Sequence, residues 1–172
     1  MSSPGSAVPT GQVSIFGRGF SPQPVSSMPL EAVAGLIKGR DGLQVETERT
    51  RKAYAAALKA HANHGDAHGD DAYKATKRQL PGITPSGTFS YREKSHLVEY
   101  SGLLGYDLDG IDDIARIKAA ARSDSFCVMA YVSPSGHGLK LFLRWAPPRP
   151  EDHARAWDAG RRHIESVYDV TI

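Results

Sequence analysis

Gly105-Tyr106-Asp107-Leu108-Asp109-Gly110 ends an apolar run that begins near Leu97. In a β-strand successive side chains point to opposite faces, so Asp107 and Asp109 project from one side and Tyr106 and Leu108 from the other. Two carboxylates then share one small patch. Such a pair repels itself and raises its own pKa unless a cation lies between the two groups, which suits Mg²⁺ or Mn²⁺ held jointly with phosphate oxygens. The same residues also read as a strand ending in an ordinary polar Asp-Gly turn, and the motif by itself does not separate the two.

Downstream of the aspartates the pattern is regular. Asp112-Asp113 open a helix through Ile114, Ile117 and Ala121, with Lys118 and Arg122 toward its end, the charge order that a helix dipole favours. Phe126 to Ser133 is apolar on both faces and reads as a central strand. After the turn Pro134-Ser135-Gly136-His137-Gly138, a strand alternates strictly, with Leu139, Leu141, Leu143 and Trp145 on one face and Lys140, Phe142 and Arg144 on the other. Pro150 and Glu151-Asp152 start a helix through Trp157, Ile164 and Val167 that leads into a last strand at Val170-Thr171-Ile172.

From Leu97 onward the order is therefore strand, helix, strand, strand, helix, strand. This predicts an α+β fold with a ferredoxin/RRM-like βαββαβ sheet, both helices on one face and the other face open. Parity then places Gly105, Asp107 and Asp109 on the open face together with Lys140, Phe142 and Arg144.

Upstream, residues 1–12 are rich in Pro, Gly and Ser and read as a disordered tail. Val13 to Phe16 alternates as a short strand, a helix runs from Pro29 to about Lys38, and a second spans about Thr47 to Ala62. In that second helix Tyr54 and Leu58 read as inside, and Arg49, Arg51, Lys52 and Lys59 as a solvated face. The stretch from His61 to Asp71 gathers histidines and aspartates, but Gly65 and Gly69 break the helix that would align them as ligands, so it reads as a polar loop rather than a metal site. A helix resumes from Tyr73 to Leu80, and Thr84 to Thr88 is a turn. The chain divides into an N-terminal strand-and-helices module over about 13–95 and an RRM-like catalytic module over about 96–172.

Bulk properties bound the rest. At 172 residues and 40% hydrophobic content one domain with a real core is expected, and a net charge of +2 does not by itself require a polyanionic partner. The single cysteine, Cys127, lies in an apolar run and reads as a buried small hydrophobe, which fits a reducing compartment. No apolar stretch approaches a membrane span and the first residues lack a signal pattern, so a cytoplasmic protein is expected.

Three segments together carry a resemblance: 80–89 (LPGITPSGTF), 100–109 (YSGLLGYDLD) and 133–140 (SPSGHGLK). In content and order they resemble the primase-polymerase domains of the archaeo-eukaryotic primase superfamily, closest to the VirE amino-terminal-like domains of phages, plasmids and other mobile elements. The resemblance covers roughly Val13 to the carboxyl end. It implies template-dependent nucleotidyl transfer, as in a DNA primase or polymerase, with Asp107 and Asp109 as catalytic, Mg²⁺- or Mn²⁺-binding residues. Ser133, Ser135, Gly136, Gly138 and Lys140 match the motif that binds the phosphates of a nucleoside triphosphate. Many superfamily members carry histidine where Lys140 stands; a lysine neutralises phosphate as a point charge and offers no neutral state near pH 7. The family's third motif is an aspartate on the last strand, which is cut short at Ile172, and Asp169 precedes that strand.

The chemistry of the residues agrees. Carboxylates that hold a divalent ion, with cations and backbone N–H groups around a triphosphate, are what phosphoryl transfer to a 3′-hydroxyl needs. The Ser135-Gly136-His137-Gly138 turn reads either as an anion nest or as a plain hairpin. On a single-stranded template, Arg92, Phe142 and Arg144 are the candidate contacts, with Arg92 also readable as a surface charge and Phe142 as packing beneath a loop. A helicase in a longer parent protein is a further expected partner. The alternative is a catalytically inactive nucleic-acid- or partner-binding remnant of the same fold. A rolling-circle nickase ranks last, since it needs a histidine-apolar-histidine metal pair that does not occur.

Overall fold

The run before the two aspartates is two strands, not one. In the computed structural model, which describes residues 11–39, 42–64, 68–144 and 150–172, the chain pairs as β5 (Leu97–Tyr100) and then as β6 (Leu103–Asp109) in a different sheet. Gly102, at φ 73°, makes the break in a conformation that side chains rarely adopt. Buried Ser101 fixes the corner: its hydroxyl accepts the Leu103 N–H at 3.1 Å and donates to the Pro85 carbonyl at 2.5 Å.

The described residues form five helices and three small antiparallel sheets, a mixed α+β architecture. In chain order the remaining elements are β1 (Gln12–Phe16), β2 (Ser26–Pro29), α1 (Leu30–Ile37), α2 (Leu43–His64), α3 (His68–Lys77), β3 (Gly82–Thr84) and β4 (Gly87–Phe89) before β5 and β6. After them come α4 (Ile114–Ser123), β7 (Cys127–Val132), β8 (Gly138–Arg144) and α5 (His153–Tyr168). The sheets are ordered β2-β1-β3, β4-β5 and β6-β8-β7.

The third sheet follows its sequence pattern. Asp113 caps α4 by accepting the Arg116 N–H at 2.9 Å, which satisfies one orphan donor of the first turn. Ile117 and Ala121 of α4, with Ala156, Ile164 and Tyr168 of α5, pack on Leu104, Tyr106, Leu108, Leu139, Leu141 and Leu143. Both helices thus cover one face of the sheet. On α5, Gly160 admits close approach to β6: a Cβ there would lie 2.2 Å from the Tyr106 hydroxyl, which donates to the Trp157 carbonyl at 2.7 Å.

Several expectations change. β8, not β7, is the central strand; β7 is apolar on both faces because α4 covers one side while Val128, Met129 and Tyr131 pack against a second core on the other. That second core joins Val13, Ile15, Leu30 and Val33 of the N-terminal part to Leu103 and Phe142, so one end of the predicted open face is covered. β2 occupies residues before the predicted helix, and Pro29 ends the strand, with α1 beginning at Leu30. The turn at Pro85-Ser86 is flanked by β3 and β4, of which β3 extends the β1 sheet. In α2 the buried positions are Thr50 and Ala57, and Leu58 is exposed. Helix α3 starts earlier than predicted and runs through Gly69.

No final strand forms among the described residues. After α5 the chain turns at Asp169, φ 53°, and Arg116 of α4 donates to the Tyr168 carbonyl at 2.8 Å and the Asp169 carbonyl at 3.4 Å. Val170 and Ile172 pack against the helix-side core instead of pairing with β6. The greater part of the predicted tail, the side chains at 62–70 of the histidine-rich stretch, and Trp145 lie outside the described residues.

Candidate functional site

Strand parity brings the carboxylates and the lysine together. Asp107 of β6 lies directly opposite Lys140 of β8, and Lys140 in turn opposite Tyr131 of β7. The Lys140 ammonium donates to Asp107 Oδ2 in a partly exposed ion pair. Burial pushes the Tyr131 phenol up from its usual value, and the Asp107 charge adds to the effect.

Asp109 faces the same way, two pairs further along, opposite Gly138. A side-chain carbon at Gly138 would meet the Leu108 carbonyl at 2.4 Å, Asp109 Oδ1 at 3.1 Å and Ser133 Oγ at 3.3 Å. Glycine is therefore required there, and the Asp109 carboxylate and the Ser133 hydroxyl flank the same α-carbon. Asp107 and Asp109 are both exposed, whereas Ser133 is buried.

The glycine turn is a closed hairpin. Ser133 N–H donates to the Gly138 carbonyl at 2.8 Å, Gly136 N–H to the Ser133 carbonyl at 2.9 Å, and His137 N–H to Ser135 Oγ at 3.3 Å. The Ser133 and Ser135 hydroxyls lie 2.9 Å apart. The N–H groups of Gly136 and His137 thus point to the turn's own acceptors.

A cleft of about 750 Å³ opens between this face of the sheet and the N-terminal helices, with apolar walls from Val33, Ile37 and Met129 and with Asp107, Lys140, Arg51, Lys77 and Arg92 on its lining. Pro85 forms one edge: a Cβ on Gly105 would lie 2.4 Å from Pro85 Cγ, so the β3–β4 turn rests directly on the strand beside Asp107.

The other candidates are distributed differently. Arg92 lines the cleft but is held to the N-terminal part, donating to the Gly19 carbonyl with its guanidinium 5.0 Å from the Phe16 ring centroid. Phe142 is 3% exposed, in the second core and edge-on to Tyr131, so it is packing and not a surface for stacking a base. Phe142 lies on the face that parity assigns, and the N-terminal module covers the position. Arg144, half-buried opposite Leu103, lies four residues along β8 from Lys140, about 13 Å at strand rise. It does not join the carboxylate cluster.

Periodicity assigns Arg51 to a solvated helix face, and its place at the cleft comes from the packing of α2. A Cβ on Gly136 would lie 3.7 Å from Arg51 Nε, and one helical turn later the Tyr54 ring is 5.1 Å from His137 and 4.8 Å from Tyr73. The only signal for it in the sequence is the spacing of a cation and an aromatic at i and i+3.

Among the described residues no group of three or more His, Cys, Asp or Glu side chains is placed to hold a metal ion, so the carboxylates stand as a pair. Asp169 is tied by its carbonyl to α4 on the helix side of the sheet.

Fold and site together define an α+β domain in which Asp107 and Lys140 line a cleft and Asp109 and a glycine hairpin lie further along the same strands. Residues 75–171, more than half of the chain, match the family model described as BT4734-like, N-terminal domain, and the chain belongs to that family. The match starts within α3 and takes in all of β6, β7 and β8, while β1, β2, α1 and α2 precede it. No curated protein and no solved structure matches the chain significantly. No helix among the described residues is long and apolar enough to cross a membrane.

Proposed function

We propose that the chain is a primase-polymerase-like domain that joins nucleotides on a nucleic-acid template. The observation that carries this reading is the shared face of Asp107, Asp109 and Lys140 beside the Ser133–Gly138 hairpin. The sheet order β6-β8-β7, with both helices on the opposite face, supports three of the four strands of a ferredoxin/RRM-like sheet.

Exposed carboxylates with a serine hydroxyl beside them are a hard-oxygen donor set, which fits Mg²⁺ or Mn²⁺. Asp107 and Asp109 would hold the ion, which when bound supplies positive charge to the attacking hydroxyl and the leaving pyrophosphate. Lys140 neutralises phosphate charge once it leaves Asp107. Ser133 and Ser135 offer hydroxyls to phosphate oxygens, and the Pro85 turn limits access of water from one side.

Incorporation of a labelled nucleotide into a primer on a single-stranded template, with Mg²⁺ or Mn²⁺, tests the reading. The parent should incorporate, and Asp107→Asn or Asp109→Asn should abolish incorporation with the fold intact. Equal incorporation by parent and variants overturns the assignment of the pair.

A second reading, an inactive nucleic-acid- or partner-binding remnant, is favoured by the lack of a third acidic partner among the described residues and by the neutralisation of Asp107 by Lys140. It requires binding of an oligonucleotide or protein partner without incorporation under any divalent ion.

A further inference from the structure

We infer that α2 supplies the outer jaw of the phosphate site: Arg51, together with Lys140, holds the polyphosphate of the incoming nucleotide across the hairpin. This rests on the reading of the hairpin as a nucleotide site and adds a residue outside the stretch that the family model covers.

The geometry makes the case in three steps. The turn uses the N–H groups of Gly136 and His137 internally, so backbone donors alone do not furnish the anion site. Arg51 lies against the turn, with Nε, Cδ and Cγ 3.7, 3.8 and 3.9 Å from the position of a Gly136 Cβ, which places a guanidinium stem over a turn residue that has no side chain. Gly136 has φ 86°, so the gap is kept by a residue that the backbone already requires to be glycine.

Charge points the same way. Asp107, the carboxylate on the cleft, is already paired with Lys140, and among the described residues no carboxylate pairs with Arg51. Lys77 adds a further cation to the same cleft. Lys140 stands two residues up β8 from Gly138, about 7 Å at strand rise, and Arg51 lies against the turn beyond it, a spread that suits linked phosphates better than a lone one. A guanidinium fork presents parallel donors to phosphate oxygens, which a lysine at the same place does not.

The test uses the full chain without metal and three probes: sodium tripolyphosphate, a deoxynucleoside triphosphate and a single-stranded oligonucleotide, each titrated by calorimetry. Arg51→Gln should weaken tripolyphosphate and nucleotide binding roughly ten- to a hundred-fold, the loss expected for a hydrogen bond to a charged group, and Arg51→Lys should recover only part of it. Its thermal midpoint should match the parent, since Arg51 is exposed. Unchanged tripolyphosphate affinity in Arg51→Gln, with a clear loss in Lys140→Met, overturns the inference and leaves the nucleotide site standing. Weakened oligonucleotide binding with unchanged nucleotide binding also overturns it, by making Arg51 a backbone contact for nucleic acid. No binding of either phosphate probe by the parent overturns the site reading itself, and the inference with it.

Discussion

The two faces of the β6-β8-β7 sheet are built from alternate residues of the same strands and do opposite work. On the helix side Leu104, Tyr106, Leu108, Leu139, Leu141 and Leu143 are buried against α4 and α5 and hold the sheet in place. On the other side Asp107, Asp109 and Lys140 carry charge and reach solvent. Stability is concentrated where each residue displaces water, and charge where a groove was left between the sheet and the N-terminal helices. The second face is itself divided, because Leu103 and Phe142 at its far end belong to a core with β1 and α1.

The strongest challenge to this division is Phe142→Ala. As a core residue Phe142 should cost about 3–5 kcal/mol when truncated, read as a shift in urea unfolding, with oligonucleotide affinity unchanged under native conditions. A small stability loss with a large loss of oligonucleotide binding would return Phe142 to the open face.

Gly160→Ala probes the helix side. Its Cβ overlaps the Tyr106 hydroxyl, so α5 must move off β6 or the hydrogen bond to Trp157 must break, at about 1–3 kcal/mol even after the gain in helix propensity. Gly105→Ala is the matching change on the cleft side. It pushes against Pro85, which belongs to a short turn, so its stability cost should be smaller while nucleotide binding suffers more. Equal profiles for the two variants in unfolding and binding assays would show that the faces are not separable.

Beyond both faces, the loop before β7 is locked to α5 by Asp124. Its side chain, 4% exposed, accepts from Tyr168 Oη at 2.7 Å and from the Phe126 N–H at 2.9 Å, and pairs with His163 Nε2 at 2.9 Å. Burial alone would raise the carboxyl, but the hydrogen bonds from Tyr168, His163 and Phe126 outweigh it and hold it below the usual 3.8. A lowered folded value means that the carboxylate stabilises the native state above the unfolded pKa and that this contribution is lost as pH falls through the folded value. Asp124→Asn should therefore cost about 1–2 kcal/mol at neutral pH, and the unfolding free energies of parent and variant should converge as pH falls below about 4. A gap that stays constant to pH 2 would mean that shape, and not charge, is what Asp124 contributes.

Much of the third sheet was legible because its residues obey simple periods. Strict alternation in Leu139 to Arg144 and the acid-to-base order of α4 are local signals, and parity then forces Asp107 and Lys140 onto one face. What escaped was decided at long range. Nothing near Phe126–Ser133 distinguishes a central strand from an edge strand covered on both sides, and nothing near Phe142 announces that Val13 and Val33 will cover it. The corner at Ser101-Gly102 hides within a run whose composition suits one strand, because the choice depends on a hydrogen bond to Pro85 sixteen residues away. Arg51 is the extreme case: its role depends wholly on where α2 is packed.

A small stability effect, and the one that most sharpens the contrast, belongs to Lys140→Met. The side chains of Lys140 and Asp107 are 27% and 48% exposed, so their ion pair is screened by water and salt and its loss should move the unfolding free energy by less than about 1 kcal/mol. The same substitution on a buried core position would cost several times more. Its effect on ligands should be larger and of two signs. Without the ammonium, Asp107 and Asp109 repel each other unrelieved, and a divalent cation is the natural neutraliser, so Mn²⁺ should bind more tightly to the variant when nucleotide is absent. Triphosphate should bind less tightly, because the charge that leaves Asp107 for a phosphate oxygen is gone. Calorimetric titrations with Mn²⁺ alone and with a nucleoside triphosphate alone separate these effects. If both affinities fall together, Lys140 orders the site as a structural strut; if neither changes, the open face carries its charges for solubility and the division between the two faces is one of burial only.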